Sequence, residues 1–301
     1  MQPGISAIVI AYNPRELLSR CLSSLSGWVD ELIVVDLESE ENLASTAKKF
    51  HAVYQKLPHV EIVEQIRQKC LSLAHHEYVL FLDPDEVVPP QLATLLQAQV
   101  KSNSYDYFSI PRKNLVFGTW LRHSRWWPDY QVRLFRHGQV KWPTVLHLQP
   151  EFSGRQYTVL EDENLALVHT NYKDLDEWFD KNRRYAKQDA RDRLASGENF
   201  SLAIALRLSV SELVSRFFQS QGYRDGLHGL ILSILQSFYY FLVYAYYWEM
   251  KGYSKLETAE TIYSFPRDWF RHGLSEIIFW DTSSASPLKK IHSKLVRKMI
   301  A

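Results

Sequence analysis

Three short apolar runs, each ending in polar or acidic residues, constrain the fold of this chain more than any other feature. They are Ser6-Ala7-Ile8-Val9-Ile10-Ala11, Glu31-Leu32-Ile33-Val34-Val35-Asp36 and Tyr78-Val79-Leu80-Phe81-Leu82-Asp83. Runs this short and unalternating read as strands buried on both faces, the pattern of a parallel sheet. Between them the period changes. Leu17, Leu18, Cys21, Leu22 and Leu25 recur at helical spacing, and Asn13, Pro14 and Glu16 offer an N-cap, a first-turn proline and a capping-box acid. Further helices are expected over 41–50 and 63–73, with a short strand near Val53. Strand alternating with helix predicts an α/β fold, a mostly parallel Rossmann-like sheet flanked by helices.

Ligands of such sheets bind outside the carboxyl ends of the strands. Here those ends carry Tyr12 and Asn13, then Asp36, then Asp83 and Asp85. Two acids one residue apart can share Mg²⁺ or Mn²⁺ through hard oxygen ligands, and a nucleotide-sugar diphosphate is a fitting anionic substrate for such a cation. Asp83-Pro84-Asp85-Glu86 also suits a solvated acidic turn formed by Pro84. Neither a glycine-rich dinucleotide fingerprint nor a phosphate loop follows the first strand, so a nicotinamide enzyme and a P-loop ATPase are not indicated. Lys and Arg number 35 against 34 Asp and Glu, so no global field points to nucleic acid. The two cysteines, Cys21 and Cys70, make no disulfide framework, which suits a reducing cytoplasm. The apolar stretch Ile5 to Tyr12 is short and lacks the basic lead of a secretory signal, so it is expected to belong to the fold.

The middle of the chain changes character. Tyr107–Ile110 and Val132–Arg136 read as strands, and the segment from Gly118 to Tyr130 between them is dense in tryptophan and arginine. Such residues, Trp127 among them, can stack sugar rings and pair with phosphate oxygens, or pack as an aromatic core. A charged helix is expected from Asp174 to Leu194, packing a face made of Leu175, Trp178, Phe179, Asn182 and Tyr185. The run from Gly229 to Trp248 carries no charge and is long enough to span a bilayer. Its tyrosines, serines and Gln236 favour a membrane-surface helix or a buried packing helix instead. Farther on, Leu288, Ile291, Leu295 and Met299 alternate with Lys289, Lys290, Lys294, Arg297 and Lys298, a basic amphipathic tail suited to anionic lipid or to a solvated helix end. Together these features favour contact with the inner face of the cytoplasmic membrane. The expected division is a catalytic domain over 1–197 and a helical, membrane-associating region over 198–301.

In order along the chain, several segments resemble the family 2 glycosyltransferases of the GT-A fold, especially the branch of lipopolysaccharide-core glucosyltransferases. Ile8-Val9-Ile10-Ala11-Tyr12-Asn13 resembles the family's opening strand and turn, and Val34-Val35-Asp36 its strand ending in an aspartate that contacts the base. Gln68-Lys69 and Asp83-Pro84-Asp85-Glu86 match two further elements. Ile110-Pro111-Arg112-Lys113-Asn114 and Pro128-Asp129-Tyr130-Gln131-Val132-Arg133-Leu134-Phe135-Arg136 resemble acceptor-side segments of that branch. Departures are Leu37-Glu38-Ser39-Glu40-Glu41-Asn42 after Asp36, Cys70 in place of an asparagine, and Leu146-His147-Leu148, which lacks an acid found in relatives.

The resemblance implies an inverting transfer of a sugar from a nucleotide diphosphate to a lipid-linked or envelope-glycan acceptor. Ala11, Tyr12, Asn13, Asp36, Lys69, Asp83 and Asp85 would bind the donor, with the cation on Asp85 and Asp83. His169 is a candidate third ligand, because histidine is a common metal ligand and follows a strand-like run, although a core histidine reads the same way. Asp129 is the candidate general base, or else part of a Pro-Asp turn. An anionic lipid phosphate would need no base, and Arg133 and Arg136, beside Trp127, would then orient the acceptor. Two other functions fit less of the chain. A nucleotidyltransferase would carry a glycine-rich loop where Ala11-Tyr12-Asn13-Pro14 has none, and a silent glycan-binding scaffold finds support in the altered stretch after Asp36.

Overall fold

The computed structural model describes residues 2–14, 16–60, 63–142, 150–282 and 287–300. The chain forms two compact units, Met1–Trp120 with Pro128–Asn171, and Leu121–Trp127 with Tyr172–Ala301. In the first, β1 (Gln2–Ala11), α1 (Leu17–Leu25), β2 (Glu31–Asp36), α2 (Leu43–Lys49), β3 (Val53–Lys56), α3 (Glu64–Cys70) and β4 (His76–Leu82) alternate. They are followed by β5 (Glu86–Val87), α4 (Pro90–Ser102), β6 (Tyr107–Val116), β7 (Thr119–Trp120) and β8 (Asp129–Arg136). Short strands β9 (Val140–Lys141), β10 (Glu151–Phe152) and β11 (Gln156–Thr158) precede β12 (Leu167–Tyr172). The main sheet runs β3-β2-β1-β4-β8-β6-β12-β5, the first four strands parallel to one another and β8 antiparallel to both its neighbours. This is the α/β architecture of a GT-A fold.

The apolar runs are continuous because both sheet faces are covered. Ala7, Val9, Val34, Leu80 and Leu82 point to a core shared with α1, α2 and α4. Ile8, Ile10, Ile33, Val35, Val79 and Phe81 point the other way, with Cys70 and Leu71. Each such side chain contributes roughly 1.5–3 kcal/mol by leaving water. The register pairs Ala11 with Asp36 and Val9 with Leu82, so the carboxyl ends of β1, β2 and β4 share one edge. Asp36 and the acids that follow β4 therefore lie along one edge of the sheet.

The first helix starts later than its capping signals suggest. Pro14 serves the turn, accepting a bond from Leu17 N at 3.1 Å, and α1 begins at Leu17. Asn13 is not its cap. Its φ of +44° takes it out of helical geometry, and its Oδ1 accepts from Glu40 N at 2.8 Å instead.

The second unit is helical, with α5 (Leu175–Ala195), α6 (Leu202–Val214), α7 (Gly226–Met250), α8 (Ala259–Asp281) and α9 (Pro287–Ile300). Asp174, Ser201 and Thr258 cap α5, α6 and α8 through their side chains. The buried stripe of α5 is Trp178, Asn182, Ala186, Asp189 and Ala190. Leu175, Phe179 and Tyr185, expected on the same face, are about half exposed. Of the tryptophan–arginine segment, residues 121–127 group with the helices. Trp126 is buried edge-on against Tyr172 beneath the Arg216 guanidinium, Arg125 pairs with Glu212 at 2.6 Å, and His123 lies 2.9 Å from Asp225. These side chains are spent on packing, and Trp127 beside them is half-buried.

Among the described residues one helical stretch, Gly222–Met250, is long and apolar enough to cross a membrane by length and composition. In α7 one stripe is buried (Leu232, Ser233, Ser237, Val243, Tyr247), and Ser237 bonds Ser209 at 2.7 Å. Another stripe, Leu227, Leu230, Ile231, Ile234 and Phe238, is exposed.

Candidate active site

The four residues that follow β4, Asp83 to Glu86, form a β-turn, with Glu86 N donating to Asp83 O at 3.0 Å and Pro84 at the second position. The turn former and the acid cluster are thus one device, which sends successive acids in different directions. Asp83 is gripped by two arginines: Arg67 Nη2 lies 2.8 Å from Oδ1, and Arg133 Nη2 2.5 Å from Oδ2. Burial alone would raise the Asp83 pKa, but Arg133 and Arg67 outweigh it and hold the carboxyl well below the usual carboxylate range. Glu86 is fully buried; its Oε1 accepts from Arg133 at 2.7 Å and Arg112 at 3.2 Å, while Oε2 accepts from Asp83 N at 3.2 Å.

Asp85 faces elsewhere. β12 runs antiparallel to β5, pairing His169 with Glu86, and Thr170 N donates to Asp85 O at 2.9 Å. That register sets His169 Nε2 3.5 Å from Asp85 Oδ2. The opposite ring atom, Nδ1, lies 2.6 Å from Asn114 Oδ1. Asn114 is fully buried, and its Nδ2 donates at 3.0 Å to Asp129 Oδ2, an acceptor only. The amide oxygen must therefore face His169, so Nδ1 carries a proton toward it and Nε2 is the ring atom left on the Asp85 side.

Asp129 starts β8 opposite Arg112 of β6. Its Oδ2 accepts from Arg112 Nε and Nη2 at 2.9 and 2.5 Å, and its Oδ1 from Gln131 at 2.9 Å. Burial pushes its pKa up, but the Arg112 charge and the bonds from Asn114, Arg112 and Gln131 bring it below the ordinary value. It is an ionised carboxylate of reduced basicity.

At the end of β2, Asp36 is buried, accepting from Ser39 N at 2.8 Å and from the Tyr54 hydroxyl at 2.6 Å. The Asp36 bond, with burial behind it, pushes the Tyr54 pKa up to about 12. Ala11 is buried, Asn13 N donates to Ser39 Oγ at 2.9 Å, and the half-exposed Tyr12 ring sits 4.2 Å from His59. The acids after Asp36 are partly spent on the loop itself, Glu38 accepting from His59 N at 3.3 Å.

The structure thus brings Asp36, Tyr12, Asn13, Asp83, Asp85, Asp129 and His169 into the first unit, with the strand ends at one edge of its sheet. Two of the candidate acceptor residues stand in ion pairs. Arg133 is buried, and its Nη2 is shared by Asp83 and Glu86. Arg136 pairs with Glu77 and Asp106 beside Tyr78, near the amino end of β4 and away from the acids. Lys69 is exposed in the last turn of α3. Cys70 is buried, which pushes its thiol up to about 11 and leaves it inert. His147 lies outside the described residues. Residue-by-residue reading missed Arg67, Arg112, Asn114 and Glu86 as parts of the cluster. Arg67 had a signal: a cation on the helix stripe of Val63, Ile66 and Cys70, where it meets the rings of Phe81 and Trp142.

As to cation binding, no group of three or more His, Cys, Asp or Glu stands within reach of one point among the described residues. Asp85 and His169 offer one oxygen and one imidazole nitrogen, a set that leaves room for diphosphate and water oxygens.

The chain is similar to several known proteins. An uncharacterized glycosyltransferase of Rickettsia conorii is 23% identical over 251 residues, covering 79% of this chain and 87% of the relative. A TPR repeat-containing protein of Synechococcus elongatus is 30% identical over 166 residues, 54% of this chain and 37% of its own. The crystal structure of S. aureus TarS residues 1–349 superposes with a TM-score of 0.43 at 15% identity, covering 93% of this chain and 80% of that one. The model for glycosyl transferase family 2 matches residues 6–163, more than half of the 301-residue chain and nearly all of the unit that holds these acids; the chain belongs to that family.

Proposed function

We propose that this glycosyltransferase moves a sugar from a nucleotide-diphosphate donor, with inversion, to a lipid-linked or envelope-glycan acceptor at the inner face of the cytoplasmic membrane. The observation that carries the donor half is the shared edge: Asp36 at the end of β2 and Asp85 just past β4, with His169 Nε2 turned toward Asp85. Asp85 and His169 would hold Mg²⁺ or Mn²⁺. A divalent cation there supplies Lewis-acid stabilisation of the charge growing on the leaving diphosphate. Tyr12 offers a ring face and Asn13 and Asp36 a fixed loop for the nucleoside. Asp83 does not share the cation; its two arginines make it the anchor of the turn that aims Asp85.

Asn114 is the hinge of this reading. Asn114→Ala removes the acceptor that fixes the His169 tautomer and is expected to weaken Mn²⁺ binding by roughly 10–100-fold. Titration with Mn²⁺ by electron paramagnetic resonance reads that change, and ¹⁵N spectra of His169 read the tautomer in the absence of metal. Unchanged affinity together with an unchanged tautomer would remove Asn114 from the site.

Asp129 is the carboxylate placed to take the acceptor's proton, ionised at neutral pH although of low basicity. Asp129→Asn is expected to cut transfer by roughly 10²–10⁴-fold while donor binding, followed by calorimetry with Mn²⁺, stays within a few-fold. A parallel loss of donor binding would mean that Asp129 holds Arg112 and Asn114 in place and is not the base.

A further inference from the structure

The helix α8 has two apolar faces, and only one is used. Phe265, Trp269, Ile277 and Trp280 pack on Leu206, Val210 and Val214 of α6. About a quarter turn round the helix from these, Tyr263, Phe270 and Leu274 recur at helical spacing, 86%, 68% and 48% exposed. Arg267 and Arg271 are exposed alongside, with one acid, Glu260, in the first turn. A helix of a water-soluble surface would place polar groups where these rings stand.

The helix α9 continues the pattern. It docks on α8 through Arg297, which reaches Ser275 Oγ at 3.1 Å and Glu276 at 3.3 Å and lies over the Phe279 ring, and through Thr282 to Ser293 at 2.8 Å. Ser293 is buried, while Ile291, Leu295 and Met299 form an exposed stripe four residues apart. Lys290, Lys294 and Lys298 form a second exposed stripe adjoining it, and Pro287–Ile300 contains no acid.

We propose that the outer face of α8 and the exposed stripes of α9 form one docking surface for an anionic lipid bilayer. Large apolar side chains rimmed by arginine and lysine match the two layers such a bilayer offers, an acyl boundary beneath a sheet of negative headgroups. Tyrosine prefers that boundary. Charge separates this surface from the other exposed apolar stripe of the unit: α7, from Gly226 to Met250, has no lysine or arginine to hold an anionic headgroup. Among these basic residues Arg297 pairs with Glu276 and Arg267 with Asp268. The proposal rests on the membrane placement above and narrows it to one surface.

The full chain, sedimented with phosphatidylcholine vesicles with and without phosphatidylglycerol, tests it. Binding is expected only where phosphatidylglycerol is present, and to fall as sodium chloride is raised. Phe270→Glu with Leu274→Glu, and separately Lys290→Gln, Lys294→Gln and Lys298→Gln together, are each expected to lose at least roughly tenfold in vesicle affinity. Circular dichroism and Mn²⁺-dependent donor binding should stay at wild-type values, since these side chains lie outside the packed face. Wild-type affinity in both variants would overturn the surface while leaving membrane placement intact. Failure of the unaltered chain to bind either vesicle would overturn both, and leave the donor-site reading standing. A lipid-free dimer that the Phe270 and Leu274 changes make monomeric would show that a second copy covers the face, which also overturns it.

Discussion

Asp85→Ala should abolish Mn²⁺-dependent binding and hydrolysis of nucleotide sugars, with a loss of about a thousandfold or more in turnover. The magnitude follows from what the residue offers. In the proposed site Asp85 and His169, 3.5 Å apart, are the two protein groups that would hold the cation, so losing Asp85 would leave the imidazole alone. A cation that neutralises a departing diphosphate is worth several kcal/mol in the transition state, and ~4 kcal/mol is about a thousandfold in rate. The fold should tolerate the change. The Asp85 backbone oxygen keeps its bond from Thr170 N, and the ion pairs that knit the turn belong to Asp83 and Glu86. The comparison is made with purified protein and a panel of nucleotide sugars, reading thermal stabilisation by donor and slow donor hydrolysis. Donor stabilisation of the variant equal to wild type would take Asp85 out of the site. Absence of metal-dependent hydrolysis in the unaltered chain would favour a silent glycan-binding scaffold.

Much of this site was legible before any coordinates. The strands ending at Ala11, Asp36 and Leu82 announce themselves through unbroken apolar runs, and parallel pairing then puts their carboxyl ends on one edge whatever the loops do. Partnerships formed across the sheet are another matter. His169 reaches Asp85 because β12 pairs with β5, a contact between residues far apart in sequence that no local pattern encodes. The Asp83 clamp joins α3 to β8 for the same reason. Arg133 and Arg136 read as a pair aimed at one phosphate, yet Arg133 joins the Asp83 and Glu86 carboxylates and Arg136 those of Glu77 and Asp106, contacts that adjacency in sequence does not encode. The outward face of α8 was hidden by its inward one, since Phe265 and Trp269 already account for an ordinary packed helix.

The buried clamp makes the second large prediction, and it is one of stability. Arg133→Met is expected to destabilise the first unit by roughly 3–5 kcal/mol, the cost typical of breaking a buried ion pair by removing one partner. Arg133 is 5% exposed and its Nη2 serves both Asp83 and the fully buried Glu86. Methionine fills much of the same volume, but it strands a buried carboxylate with Arg112 alone, at 3.2 Å. The pH dependence carries its own signature. The folded Asp83 pKa lies below its unfolded value, so its ionisation stabilises the native state fully above about pH 4 and less as pH falls through the folded pKa. Wild-type stability should therefore drop below pH 4. The Arg133→Met curve should be flatter there, since Arg67 alone depresses Asp83 less, and the gap between the two proteins should narrow toward low pH. Urea unfolding followed by tryptophan fluorescence, repeated from neutral pH downward, measures both effects. An arginine that served to hold an acceptor phosphate would behave in the opposite way, leaving the unfolding curve in place and raising only the KM for acceptor, and that result would return Arg133 to the substrate.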